Sequence, residues 1–374
     1  MSEGTSTEVV TEGRDARVEA AAAHWGPRFV NNGTDYLDFE RTLGRITRWE
    51  DWCTEWGRTA QEYEAIARRA EDAGHLVTAM DAWRRAGLCW HWAKFVFVVD
   101  VEQLRDAHGR AVADYARGAA GLSPPAERVL VPYSGEDLAA YLRVPERRDG
   151  AVPPVVVMAP GLDSVKEELQ ATADYFLARG LATLAIDGPG QGESEWAFPI
   201  EPAYEKAATA AVDYLERRDD VDAGRVGVFG VSLGGYYAAR AMAHEPRFVA
   251  GVALAGPYRF DLEWDDLPPM TRDTFRFRSR SGDDAAARAY AGRLTLEGSA
   301  PAITSPLLVV HGALDRLVGR AHAERLAAEA PGVELRMYED GNHGVTNHAF
   351  ESRSGFADWL ADKLGRDAPP AGTT

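Results

Sequence analysis

Ser232 lies in Gly230-Val231-Ser232-Leu233-Gly234-Gly235, between the apolar run Arg225–Phe229 and a helix-like segment that begins at Tyr236. A serine on a sharp strand-to-helix turn leaves no room for side chains two residues before or after it, which accounts for the glycines. Such a turn lifts the hydroxyl off a sheet. It also puts the Leu233 N–H at a helix N-terminus, where it can stabilise an oxyanion. The pentapeptide by itself also fits any tight turn, so its partners must decide. A serine hydroxyl becomes nucleophilic when a base takes its proton and an acid orients that base. Asp315 ends the loop after the apolar run Leu307–Val310, and His343 lies on a loop just past Val333–Tyr338. Serine, acid and histidine therefore follow one another along the chain, each just after a strand-like run. His311, His348 and Asp340 compete for these roles. His311 suits packing below Asp315, His348 falls where the final helix opens, and Asp340 is too near the histidine in sequence.

A second oxyanion donor is expected from the loop after Val155–Met158, which reads Ala159-Pro160-Gly161-Leu162-Asp163-Ser164. Gly161 permits close backbone approach, and the Leu162 N–H is the expected partner of the Leu233 N–H. Asp187-Gly188-Pro189-Gly190-Gln191-Gly192 is also glycine-rich. It lacks the spacing and the following helix of a dinucleotide phosphate loop, so it reads as a structural loop on the rim of the site.

The elements that must position these groups change character along the chain. Residues 16–122 show helical periodicity, with Trp49–Ala73 and His75–Val98 separated by Gly74. Tryptophans are dense here, and most suit a self-contained helical core. Trp90, His91 and Trp92 are the best candidates for contacts with a substrate, together with Tyr236 beside the elbow. After Ser123-Pro124-Pro125 the pattern becomes α/β. A hairpin over Arg128–Tyr133 and Leu138–Val144 precedes six apolar runs spaced by helices: Pro154–Met158, Ala182–Ile186, Val226–Val231, Val249–Ala255, Leu307–Val310 and Val333–Tyr338. This pattern specifies a mostly parallel sheet with helices on both faces over residues 123–366. A polar helical insertion at about 258–303 would sit over the C-terminal edge of that sheet. Residues 1–15 and 367–374 read as disordered.

The chain of 374 residues carries 41 basic against 58 acidic residues, a net charge of −17. So acidic a surface repels phosphate backbones and anionic lipid, so neither nucleic acid nor a membrane is expected as a partner. No apolar run approaches the length of a membrane span, and Met1–Glu12 lacks the character of a signal peptide. Cys53 and Cys89 read as buried free thiols of a cytoplasmic protein, without metal-ligand spacing. No cofactor is implied, the expected partner is a small-molecule substrate, and a homodimer stays open.

Three segments taken together, Gly161-Leu-Asp-Ser-Val-Lys-Glu-Glu168, Asp187–Gly192 and Gly230–Gly235, resemble those of a branch of α/β-hydrolases. It comprises carbon–carbon bond hydrolases similar to 2,6-dihydroxypseudooxynicotine hydrolase, with fungal polyketide chain-shortening enzymes related to it. The resemblance implies an α/β-hydrolase fold with an N-terminal all-helical cap domain. It places the triad on Ser232, Asp315 and His343 and the oxyanion donors on Leu162 and Leu233. It also implies an extra active-site glutamate, for which Glu263 in Phe260-Asp-Leu-Glu-Trp264 is the counterpart. A carboxyl there could protonate a leaving carbanion or hold a substrate hydroxyl. Equally, Glu263 could be a solvated acid in an acidic segment.

The expected activity is hydrolysis of a 1,3-diketone-like carbon–carbon bond, or of an ester or thioester, in an aromatic or polyketide-derived molecule. The same site in a dry pocket could serve a cyclase, a lyase or a carbon–carbon bond-forming enzyme of natural-product biosynthesis. A non-catalytic binding protein is the reading from a different class. An aminopeptidase of the prolyl-oligopeptidase type is a further rival, although no blade-like repeat occurs.

Overall fold

The computed structural model describes residues 13–146 and 150–365. Five helices come first: α1 (Ala16–Asn31), α2 (Tyr36–Arg45), α3 (Trp52–Asp72), α4 (Leu76–Lys94) and α5 (Val101–Ala119). Aspartates start three of them. Asp15, Asp35 and Asp100 accept hydrogen bonds from first-turn N–H groups of α1, α2 and α5, which otherwise lack partners. Of the termini expected to be disordered, residues 1–12 and 367–374 lie outside the described residues. Asp15 does not fit that expectation, because capping α1 and donating its N–H to Thr47 O fix it in place. The cap buries its own aromatic core. Phe29 stacks on Trp92 with ring centres 3.9 Å apart, and Trp49, Trp52 and Trp56 pack around them.

The chain then builds one eight-stranded sheet from β1 (Glu127–Tyr133), β2 (Glu136–Arg143), β3 (Pro154–Ala159), β4 (Ala182–Ile186), β5 (Asp222–Val231), β6 (Phe248–Leu254), β7 (Leu307–Gly312) and β8 (Val333–Tyr338). Their spatial order is β1-β2-β4-β3-β5-β6-β7-β8. The β1–β2 and β2–β4 pairs are antiparallel and the rest parallel. Helices α6 (Gln170–Leu177), α7 (Glu205–Leu215), α8 (Leu233–His244), α9 (Pro269–Ser279), α10 (Asp284–Ala291), α11 (Arg320–Glu329) and α12 (Ala349–Lys363) complete the chain. Side chains along β3 alternate: Val155 and Val157 face the layer of α7, α8 and α11, while Val156 and Met158 face α6 and α12. Both faces are therefore covered, and near-continuous apolar runs are what such strands require.

The insertion between β6 and β7 forms α9 and α10, and Met270 of α9 joins the aromatic core of the cap. Among the described residues, no helix is long and apolar enough to cross a membrane. Cys53 and Cys89 are buried and free.

Candidate active site

The turn between β5 and α8 holds Ser232 at φ 58° and ψ −126°, a conformation that costs a non-glycine residue about 1–3 kcal/mol. Its N–H donates to Leu254 O at 2.8 Å and its carbonyl accepts from Gly235 N at 2.7 Å, so backbone bonds on two sides hold the strain. Gly230 has no alternative here, because a Cβ on it would lie 1.8 Å from Gly234 O. A Cβ on Gly161 would lie 3.2 Å from the Cβ of Ser232, so the loop after β3 runs directly against the nucleophile candidate.

His343 Nδ1 and Asp315 Oδ2 are 2.7 Å apart. The other Asp315 oxygen accepts from Leu317 N at 2.8 Å and Val318 N at 3.1 Å. Burial alone would raise the Asp315 pKa. The neighbouring charge of His343 and these hydrogen bonds outweigh it and hold the group below the usual carboxylate range. His311, the rival base, lies within β7, paired with Met337 of β8, and its Nε2 donates to Val318 O at 2.8 Å. His348 bonds instead to the exposed Asp340 at 2.8 Å. Ser232, Gly161 and His343 line one small cavity of about 70 Å³ with Arg28, Glu168 and Arg353. It adjoins a larger cavity of about 620 Å³ between α1 and the loops after β7 and β8, and His343, Arg28 and Thr346 line both.

The loop after β3 is clamped from two sides. Gln191 Nε2 donates to Pro160 O and, at 3.0 Å, to Gly161 O. Arg278 of α9 donates to Leu162 O and lies 2.9 Å from Glu195 Oε2. The Asp187–Gly192 loop is structural. Asp187 takes Lys166 Nζ at 2.9 Å and the Lys166 N–H at 2.8 Å, and the loop carries Gln191 to its place.

Four expected site residues sit elsewhere. Trp90 donates to Glu64 Oε1 at 2.9 Å and lines a separate groove with Gly57 and Arg110, because its face of α4 packs against α3 and α5. Trp92 is fully buried in the cap and donates to Thr34 Oγ1 at 2.7 Å. Tyr236 donates to Pro202 O at 2.7 Å from within the core of the sheet domain. Glu263 accepts from Gly319 N at 2.8 Å and is 3.6 Å from His322, behind the Asp315 loop and outside both cavity linings. The nearby His322 ring outweighs burial and, with the Gly319 N–H, lowers its pKa. His91 reaches the site indirectly, with Nε2 2.9 Å from Glu168 Oε2.

Several cavity residues were not foreseen. His24 and Arg28 of α1 line the larger cavity with Trp25, whose indole N–H has no hydrogen-bond partner. Their spacing held a signal, since Ala20, His24 and Arg28 recur every four residues on one face of α1. The His24 ring stacks near His343 with centres 6.4 Å apart. Burial, reinforced by His343, pushes its pKa down to about 4.

Residues 168–367 match the prolyl oligopeptidase family. The chain belongs to that family. The 2,6-dihydropseudooxynicotine hydrolase of Paenarthrobacter nicotinovorans is 33% identical over 347 residues, covering 91% of this chain and 92% of that protein. The crystal structure of a 2,6-dihydroxy-pseudo-oxynicotine hydrolase superposes with a TM-score of 0.84 at 32% identity, over 92% of this chain and 98% of the other. A fungal relative, the α/β-hydrolase xenA of Xenoacremonium sinensis, is 30% identical over 68% of this chain and 66% of its own length. The likeness to the first two runs through the helical N-terminal region as well as the family match. This member of the family is thus an α/β-hydrolase with an N-terminal helical region, as the sequence motifs led one to expect.

Proposed function

We propose that this chain is a serine hydrolase that cleaves a carbon–carbon bond next to a carbonyl, or an ester or thioester, in an aromatic or polyketide-derived small molecule. The observation that carries this reading is the 2.7 Å contact between His343 Nδ1 and Asp315, in a cavity that also holds Ser232 on its strained turn. Ser232 Oγ attacks the carbonyl carbon while His343 Nε2 takes its proton. Asp315 fixes the tautomer and steadies the imidazolium. The Leu233 and Leu162 N–H groups hold the oxyanion. Collapse expels an enolate carbon, alkoxide or thiolate, which recovers the proton from His343. Water, deprotonated by His343, then releases the acyl group as a carboxylic acid. The similarity to a hydrolase over 91% of the chain supports hydrolysis, and Trp25 beside the larger cavity suits a flat ligand.

Reaction in oxygen-18 water tests the outcome, and label in the product acid is expected. Unlabelled product would turn the reading to cyclisation or bond formation. A fluorophosphonate probe should modify Ser232. Full activity in Ser232→Ala would remove it as nucleophile.

A further inference from the structure

Ser232 and His343 divide the space around them unequally. Ser232 and Gly161 line the small cavity of about 70 Å³ and not the larger one of about 620 Å³, whereas His343 lines both. A reacting carbonyl carbon must sit at Ser232 Oγ, with its oxygen at the loop that carries Gly161 and Leu162. The atom that leaves must lie within reach of His343, which returns its proton. The acyl half of a substrate therefore falls in the small cavity, and the leaving half passes His343 into the larger one.

A cavity of about 150 Å³ holds one benzene, so about 70 Å³ holds roughly three or four heavy atoms. Leu169, Phe229 and Leu254 give the small cavity an apolar wall, and Arg353 of α12 also lines it. Arg353 Nη1 donates to Asn31 O at 3.1 Å and Nη2 to Asn32 Oδ1 at 2.7 Å. Among the described residues it makes no ion pair, and burial pulls its guanidinium below the usual arginine range. Glu168 is already engaged, by Arg28 at both oxygens and by Asn32, Ser164 and His91. Arg353 therefore keeps N–H donors open in the cavity that holds Ser232. Buried donors are nearly always bonded, so an acceptor on the substrate completes them. Arg28 and Arg353 balance Asp163 and Glu168, which line the same cavity, so a neutral oxygen suits it better than a carboxylate.

We propose that the small cavity is an acyl subsite for a short chain, of up to about four carbons, that carries a neutral oxygen acceptor for Arg353. The larger cavity then takes the leaving half of the substrate. The inference rests on Ser232 as nucleophile. It narrows the substrate to one whose bulk lies on the leaving side and whose acyl half is small and oxygenated, as in an acetoacetyl group.

The test uses N-acetylcysteamine thioesters of butyric, octanoic, acetoacetic and malonic acids, with release of the thiol as the readout. In the wild type, kcat/KM for butyryl should exceed that for octanoyl at least about a hundredfold. Arg353→Met should lower kcat/KM for acetoacetyl at least about tenfold more than for butyryl, mainly through KM, and Arg353→Lys should recover part of the loss. Octanoyl accepted as well as butyryl, malonyl preferred to acetoacetyl, or equal losses on butyryl and acetoacetyl in Arg353→Met would overturn the subsite. Titration of the Ser232→Ala protein with N-methylacetoacetamide and with N-methylbutyramide, followed by NMR, is independent of turnover and of whether Arg353→Met folds. The acetoacetamide should bind more tightly, and equal binding or none counts against the subsite. If no thioester turns over and Ser232 resists a fluorophosphonate while N-methylacetoacetamide binds, the nucleophile assignment fails and the subsite stands.

Discussion

Arg28 of the cap meets Glu168 of the core through two parallel hydrogen bonds, Nε to Oε1 at 2.6 Å and Nη2 to Oε2 at 2.7 Å. The same guanidinium reaches Asp163 at 2.8 Å. Glu168 also accepts from Asn32 and Ser164 and is bonded to His91. Burial alone would raise its pKa, yet Arg28 and these bonds hold it well below the carboxylate range. The cap is thus locked to the residues beside Ser232. Arg28→Ala leaves a buried carboxylate short of its cation, and a loss of about 3–5 kcal/mol is expected. Urea unfolding measures it, and limited proteolysis should show cleavage between cap and core.

Asp315→Asn keeps the shape of the proposed triad but presents the wrong hydrogen-bond pattern to His343. A fall in kcat of about 10⁴-fold is expected, with Tm nearly unchanged. A loss below tenfold would remove Asp315 from the orienting role.

Gly161 and Gly230 separate function from folding. An alanine Cβ at position 161 would lie 3.2 Å from both the Cβ of Ser232 and the Val231 carbonyl oxygen, so the backbone beside Ser232 must give by a few tenths of an ångström. Gly161→Ala should fold and lose about 10–10²-fold in kcat by displacing Ser232, the proposed nucleophile. Gly230→Ala meets the Gly234 carbonyl at 1.8 Å and should yield little soluble protein. Circular dichroism and single-turnover kinetics distinguish the two.

Glu263 supports the loop after Asp315 through Gly319 and His322. Glu263→Ala should lower kcat by about tenfold and leave the pH–rate profile unchanged in shape, as expected of a positioning residue. Loss of one limb of that profile would instead make it a proton donor.

His24 and His91 make the fold acid-sensitive. Burial is the main cause for both, and each is pushed down to about 4. The unfolded chain takes up these protons near pH 6.5 while the folded chain stays neutral, so stability is full above that pH and falls as it drops toward 4. The loss by pH 5 is about 2 kcal/mol per histidine. Urea unfolding at pH 7.5 and 5 should show it, and His24→Asn should shrink the difference in stability by about 2 kcal/mol.

The order of elements was legible in the sequence because parallel strands buried on both faces must be apolar throughout. Ala182–Ile186 and Val333–Tyr338 lie where the apolar runs placed them. Strand β5 begins earlier than its apolar run, at Asp222, where a bulge lets polar residues join the pairing. Ser232, Asp315 and His343 were legible for a related reason. Each needs a loop just after a strand, and sharp turns demand residue types that local sequence records.

What faces the substrate was not legible. Trp90, Trp92 and Tyr236 have suitable chemistry, but the rotation of α4 and α8 turns them toward Glu64, Thr34 and Pro202. His24, Trp25 and Arg28 reach the cavity because α1 docks there. The sequence by itself determined the sheet, the elbow and the order of Ser232, Asp315 and His343 along it, since these follow from local pattern. Only the tertiary structure decided which face of each cap helix meets Ser232 and where Glu168 and Lys94 are buried. Those depend on contacts between residues more than sixty positions apart, for which neither periodicity nor spacing leaves a trace.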